Sequence, residues 1–205
     1  MTTPPRNVGH FEEQILMGSL LGDGCISKKK VNKGVYYAYN ETHKIQHKKY
    51  LLWKNRDLKF NYTEGTRTIP SKRGRRKYSI CKITKGGNFL KKYYTLFYED
   101  GKKRVTKQLL SKVDIIGLCV FYLDDGNYNR KEVTLCICEL DKLIIREWLQ
   151  SKFGYRISIQ TRGLNFLSPY NRLFLESIKP LVPSVMSYKL YGKPKYKKNL
   201  KRGQD

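Results

Sequence analysis

Leu16-Met17-Gly18-Ser19-Leu20-Leu21-Gly22-Asp23-Gly24 and Leu118-Cys119-Val120-Phe121-Tyr122-Leu123-Asp124-Asp125-Gly126 decide how this chain is read. Each is an apolar stretch of helical character that ends in Asp-Gly, and the aspartates stand 102 positions apart (125 − 23). An internal repeat constrains fold and symmetry together. A single helix-Asp-Gly is best explained as a capping turn in which glycine takes the left-handed conformation. Two copies at matching repeat positions favour a site instead. The C-terminal end of a helix presents carbonyls and the negative end of the dipole, which attract a cation. Aspartate suits Mg²⁺, which keeps several waters and is completed by phosphate oxygens. Asp23 and Asp125 are therefore the candidate metal ligands, with a secondary role for Asp124. Gly18 leaves room for close helix packing, although its counterpart is Val120.

Outward from the motifs the repeat continues. A helical stretch at 50–58 runs into Lys59-Phe60-Asn61-Tyr62, and one at 143–150 runs into Lys152-Phe153-Gly154-Tyr155. These phenylalanines are 93 apart (153 − 60), so the first half carries nine extra residues between landmarks (102 − 93), assigned to a longer first hairpin. Strands are expected at 133–138, 78–84 and 156–162, and further helices at 88–98 and 170–178. The expected fold class is α/β (α+β): a pseudo-twofold, duplicated α-β-β-α-β-β-α saddle built on two antiparallel sheets. Residues 1–10 read as an N-terminal extension, 11–104 as the first half, 105–192 as the second half and 193–205 as a basic tail.

The chain carries 42 Lys and Arg against 17 Asp and Glu, a formal charge of +25. The basic residues recur along its length, so the charge belongs to the whole molecule and not to one tail. Such an excess favours a polyanion, because each Lys or Arg near a phosphate releases condensed counterions. No apolar run approaches the about 20 residues needed to span a bilayer. Residues 1–10 lack the apolar segment of a signal peptide, which favours an intracellular protein. Five cysteines, Cys25, Cys81, Cys119, Cys136 and Cys138, show neither a disulfide framework nor zinc spacing, and they read as reduced structural thiols. His43 and His47 have helical metal-pair spacing, but a strand end between them argues against zinc.

Arg156-Ile157-Ser158-Ile159-Gln160-Thr161-Arg162 alternates with period two, placing Ile157 and Ile159 on one face and Arg156, Ser158, Gln160 and Arg162 on the other. A polar strand face is commonly just solvated, but with this net charge a DNA-binding face is preferred, and two-stranded ribbons fit the major groove. Lys72-Arg73-Gly74-Arg75-Arg76-Lys77 reads as a hairpin tip touching phosphates, in preference to a nuclear-localisation patch. The candidate DNA-binding residues are Lys28, Lys30, Arg73, Arg75, Arg76, Lys82, Arg156, Ser158, Gln160 and Arg162.

Leu16, Gly18, Leu20, Asp23 and Gly24, with Leu118, Tyr122, Asp125 and Gly126, resemble the signature of the LAGLIDADG homing endonucleases in their short, monomeric two-motif form. The resemblance extends from about residue 11 to residue 190. It implies that Asp23 and Asp125 are both catalytic and metal-binding. The segment Pro180 to Leu190 is similar to the family segment that ends in an active-site lysine, which implies Lys189. Its first-half equivalent is Lys103, which a one-residue gap would exchange for Lys102. Family members often place a glutamine or another polar residue after each motif strand to order water. This chain has His43-Lys44 and Glu139 there, a departure that leaves the position open among His43, Lys44 and Glu139. The resemblance implies a site-specific double-strand break in a long, asymmetric DNA site with short 3′ overhangs. It implies Mg²⁺ as cofactor with Mn²⁺ substituting, and a monomer with internal pseudo-twofold symmetry. It also implies an organelle (mitochondrion or chloroplast) or a microbial cytoplasm as the setting, and leaves open whether the gene is intron-encoded, intein-borne or free-standing. An RNA-binding group I intron maturase of the same fold, with intron RNA as partner, ranks second. A transcription regulator that lost catalysis ranks third, because both aspartates are retained.

Overall fold

The structure is a computed structural model that describes residues 9–31, 34–71, 74–129, 131–137 and 141–192. Its first half runs α1 (His10–Leu21), β1 (Cys25–Val31), β2 (Gly34–Lys44), α2 (Lys48–Leu58), β3 (Asn61–Ser71), β4 (Gly74–Gly86) and α3 (Leu90–Phe97). A two-residue ribbon, β5 (Tyr98–Glu99) with β6 (Lys102–Lys103), and a short α4 (Lys107–Ser111) lead to the second half. That half repeats the order: α5 (Ile115–Asp125), β7 (Gly126–Tyr128), β8 (Val133–Cys136), α6 (Lys142–Phe153), β9 (Ile157–Gln160), β10 (Gly163–Phe166) and α7 (Tyr170–Ile178). A final α8 (Tyr188–Tyr191) closes the described chain. Both four-stranded sheets are antiparallel with one topology, β1-β2-β4-β3 and β7-β8-β10-β9. The duplicated architecture expected from the repeat is present. The ribbon and α4 between the halves are too short to leave a periodic signal.

The two motif helices form the centre. Gln14 to Leu20 of α1 and Gly117 to Leu123 of α5 are buried without interruption, as expected of helices apolar on all sides. Backbone contact here requires glycine. A Cβ at Gly18 would stand 2.4 Å from the Gly117 carbonyl oxygen and 2.7 Å from the Val120 Cβ. One at Gly22 would stand 2.6 Å from the Asp124 Cβ. Gly18 and Gly22 thus meet their own repeat counterparts, Val120 and Asp124, which places the pseudo-twofold axis between the helices. At the opposite end Asp114 caps α5 by accepting from Ile116 N at 2.8 Å and Gly117 N at 3.2 Å. Gln14 of α1 accepts from Asp114 N and donates to the Lys112 carbonyl, both at 2.9 Å. This joins the start of one motif helix to the first half.

The sheets are unequal. Strands β1 to β4 have 7, 11, 11 and 13 residues, whereas β7 to β10 have 3, 4, 4 and 4. The longer first hairpin expected from the spacing is present, and the second hairpin, β3–β4, is longer still. The expected strands at 133–138 and 156–162 shorten to β8 and β9, and Cys138 lies outside the described residues. Ile157 is buried, but Ile159 is 41% exposed. The alternation holds, yet β9 is the edge strand and its far end passes beyond the core.

Candidate active site and nucleic-acid face

Asp23 follows α1 directly and Asp125 is the last residue of α5. Because these helices pack side by side with Gly22 against Asp124, both carboxylates come to one end of the interface. Asp125 feels the charges of Asp23 and Asp124, and burial together with those charges pushes its carboxyl up to about 7. Such a carboxyl gains from a cation. Both candidate lysines reach this place. Lys103 Nζ donates to the carbonyls of Gly24 at 2.8 Å and Gly22 at 3.2 Å, and Lys189 Nζ donates to the carbonyl of Gly126. Gly24 and Gly126 are repeat equivalents (126 − 24 = 102), so the two ammonium groups occupy matching positions. Burial lowers both lysines below their ordinary value, against the pull of the aspartates. Lys102 and Lys103 are both exposed residues of β6, and it is the Lys103 side chain that turns to these carbonyls.

One half adds a buried network that the sequence reading did not single out. Lys54 of α2 has a fully buried side chain. Its ammonium donates to both carboxylate oxygens of Asp124 at 2.8 Å and to Oε1 of Glu41 at 2.7 Å. Tyr50 OH donates to Asp124 at 2.8 Å, and Tyr39 OH donates to Glu41 at 2.5 Å. His43 Nε2 lies 2.6 Å from Glu41, and its Nδ1 lies 3.8 Å from Asp23 Oδ2. Burial works against the Lys54 ammonium, but Asp124 and Glu41 outweigh it and hold it above its ordinary value. Burial would raise Glu41, and the charge of Lys54 with the bonds of His43 brings it down to about 2. Burial raises the Asp124 carboxyl, opposed by Lys54, whose ammonium bonds both of its oxygens as an ion pair. His43 is disfavoured by burial yet held above its ordinary value by Glu41.

Asp23, His43 and Asp124 offer ligand atoms within 4.8 Å of one another. Asp124, however, already has an ammonium across both oxygens, so the donors left for a metal are Asp23, Asp125 and the Nδ1 side of His43. Hard carboxylate oxygens at two helix ends fit a divalent cation of the Mg²⁺ type. The signal for Lys54 was in the sequence: it lies on the buried stripe Tyr50, Leu51, Lys54 and Leu58 of α2. Glu41 similarly continues the inward alternation Tyr37, Tyr39 on β2. Lys44 is exposed, its ammonium 5.8 Å from the Tyr78 ring centroid. Glu139 lies outside the described residues.

The strand register sorts the candidate DNA-binding residues. Lys28 pairs opposite Tyr37 and Lys30 opposite Val35, on the face of Ile26, and the Lys28 ammonium stands 5.9 Å from the Tyr94 ring of α3. Both therefore belong to the helix side, a correction of one residue in parity, and Lys29 points to the open face instead. Lys82, opposite Thr42 and Thr63, and Arg76, opposite Ile69, lie on the open face; Arg75 has the other parity. The basic run is a hairpin end only in part: the β3–β4 turn falls between Ser71 and Gly74, Arg75 and Arg76 are already in β4, and Arg73 lies outside the described residues. In the second sheet Ser158 and Gln160 share the open face with Asn165 and Gly163. Arg156 precedes β9, its guanidinium 5.9 Å from the Tyr170 ring, and Arg162 sits in the β9–β10 turn. The open strand positions of the first sheet include Lys29, Lys44, Arg67, Arg76 and Lys82, with no acidic residue. Those of the second, Asn127, Thr134, Cys136, Ser158, Gln160, Gly163 and Asn165, carry no charge.

Among the described residues the cysteines are free, and no described helix is long and apolar enough to cross a membrane. A family model described as "LAGLIDADG DNA endonuclease family" matches residues 13–183. The fold is similar to that of the homing endonuclease I-WcaI bound to its DNA recognition sequence, with a TM-score of 0.71, 21% identity, and coverage of 90% of this chain and 88% of that one. It is also similar to I-DmoI in complex with DNA and Ca, with a TM-score of 0.53, 18% identity, and coverage of 88% and 93%. In sequence the chain is 23% identical over 213 residues to "Protein RecA" of Mycolicibacterium flavescens, covering 93% of this chain and 48% of that protein. The chain thus spans about half the length of the curated relatives it matches.

Proposed function

The chain belongs to the LAGLIDADG DNA endonuclease family, and from that membership we propose that it is a site-specific homing endonuclease acting as a monomer on double-stranded DNA. It makes a divalent-cation-dependent double-strand break in a long, asymmetric site and leaves short 3′ overhangs. Mg²⁺ is the physiological cofactor and Mn²⁺ substitutes. The observation that carries this reading is the convergence of Asp23 and Asp125 at one end of the α1–α5 interface, each with a lysine on the equivalent glycine carbonyl. The fold neighbours I-WcaI and I-DmoI, described as bound to DNA, support the choice of duplex.

Asp23 and Asp125 would hold the cations, one for each strand. A bound divalent cation polarises the phosphoryl oxygen and lowers the pKa of its water. Lys103 and Lys189, kept near the carboxylates but partly desolvated, place positive charge beside the phosphate as its negative charge builds. Gly18 and Gly22 let the helix ends approach closely enough for both carboxylates to serve one duplex. The open face of the first sheet supplies Lys29, Arg67, Arg76 and Lys82 to phosphates and bases, and Ser158 and Gln160 of the second offer neutral hydrogen-bonding groups to base edges. The test is incubation of the purified chain and Mg²⁺ or Mn²⁺ with a randomised duplex library and with the host locus lacking this gene. A defined double-strand break is expected. Absence of cleavage with either metal sinks the enzymatic reading.

A further inference from the structure

The two carboxylate sites differ in what stands beside them. The His43 side chain is only 9% exposed, and its Nε2 is held at 2.6 Å by Glu41, whose side chain is fully buried. Glu41 is itself fixed by Lys54 at 2.7 Å and Tyr39 at 2.5 Å. The Glu41 carboxylate at that distance accepts from Nε2–H and locks the ring, so that Nδ1 is the position where a cation would replace the second proton. The other nitrogen, Nδ1, then faces Asp23 Oδ2 at 3.8 Å, and among the described residues it has no hydrogen-bond partner. A ligating histidine characteristically has its far N–H held by a carboxylate while its near nitrogen meets the metal.

The second half lacks this group. Cys25, two residues after Asp23, pairs with Asn40, and Asn127, two residues after Asp125, pairs with Thr134. Three positions further along, His43 in one copy corresponds to Ile137 in the other. Glu41 likewise corresponds to Leu135, which is fully buried. Asp124 does not compete, because Lys54 spans both its oxygens.

Building on the nuclease reading above, we propose that His43 Nδ1 ligates a Zn²⁺- or Ni²⁺-type cation held at Asp23, a nitrogen ligand that has no histidine counterpart at the Asp125 site. Glu41 is its positioning residue. Imidazole favours Zn²⁺ and Ni²⁺, whereas carboxylate and water suit Mg²⁺. The two sites of one molecule therefore discriminate among metals to different degrees, although the same aspartate motif builds both.

The chain has three histidines, His10, His43 and His47, few enough for imidazole ¹⁵N resonances of the full chain to be followed one by one. Titration with Zn²⁺ should move the His43 Nδ1 resonance within the first equivalent, and Mg²⁺ should leave it in place. By calorimetry, His43→Gln should weaken one Ni²⁺ site about tenfold or more while changing Mg²⁺ binding little, and His47→Gln should change neither. Zn²⁺ shifts confined to His10 or His47, or wild-type Ni²⁺ affinity in His43→Gln, overturn the proposal. Carboxylate ¹³C resonances separate the two failures. If Asp23 and Asp125 respond to metals but His43 does not, only the nitrogen ligand is lost; if neither aspartate responds, the nuclease reading falls with it.

Discussion

In the first half, strands of up to 13 residues carry lysine and arginine on their open face, and a buried lysine ties Glu41 to Asp124. In the second half, strands of at most 4 residues present an uncharged open face, Leu135 stands where the first half uses Glu41, and Gly22 of α1 is the repeat counterpart of Asp124 of α5. The helix ends and their lysines are matched; the surroundings are not. This follows from geometry. The α1–α5 contact admits no side chain at Gly18, and both carboxylates depend on it. The sheets and the inner faces of α2 and α6 tolerate any solution that fills space and leaves no buried charge unpaired.

Replacing the two proposed metal ligands tests the matched part and should produce the largest effect. Asp23→Asn combined with Asp125→Asn should lower double-strand cleavage at least about a thousandfold, since a bound cation supplies several kcal/mol to the transition state. The single variants should nick the two strands to different extents because the surroundings differ. Equal nicking rates of both strands in both variants, measured on a supercoiled plasmid bearing the site, would count against the asymmetry.

Lys54→Met strikes the unmatched part. It strands two buried carboxylates and should cost about 3–5 kcal/mol in denaturant unfolding. Adding Glu41→Leu and Asp124→Asn, which removes both stranded charges, should recover most of that loss. If the triple variant is no more stable than the single one, the network is not an exchangeable alternative to the second half's core.

A smaller effect concerns pH. The Asp125 carboxyl is raised to about 7 by burial and by the charges of Asp23 and Asp124. Its charged form is therefore lost as pH falls through 7, and a cation must displace the proton. Apparent cation affinity at that site should fall about tenfold per pH unit below this point. Asp23→Asn removes one of the repelling charges and should move the break to lower pH. Calorimetric titrations at several pH values check both statements; a break that stays at 7 in the variant contradicts the coupling.

The smallest effect separates the sheets. Lys82→Ala and Lys29→Ala should each reduce the salt slope of DNA binding by about 0.9, the contribution of one phosphate contact. Ser158→Ala and Gln160→Ala should weaken binding with the slope unchanged. Equal slopes for all four variants would place the charge contacts elsewhere.

Much of this was legible without coordinates. Two Asp-Gly endings, the nine-residue difference between landmarks and the alternating strands yielded the duplicated architecture and the longer first hairpin. Parity was harder, because one residue of register exchanges the faces of a strand, and so Lys28 and Lys30 were chosen where Lys29 faces outward. Lys54 was overlooked because a lysine on an apolar stripe gains meaning only when its carboxylates are found, and those lie 13 and 70 residues away.

The sequence by itself determined the repeat, the sheet and helix order, the polyanion-seeking charge and the two motif aspartates, because these are written in local periodicity, composition and spacing. Tertiary structure alone decided that Gly22 meets Asp124, that Lys103 and not Lys102 reaches the glycine carbonyl, and that Asp124 is paired with a buried ammonium. It also decided that His43, held by Glu41, turns toward Asp23. Each of these depends on contacts between residues distant in the chain, whose energies arise only when folding removes water from between them.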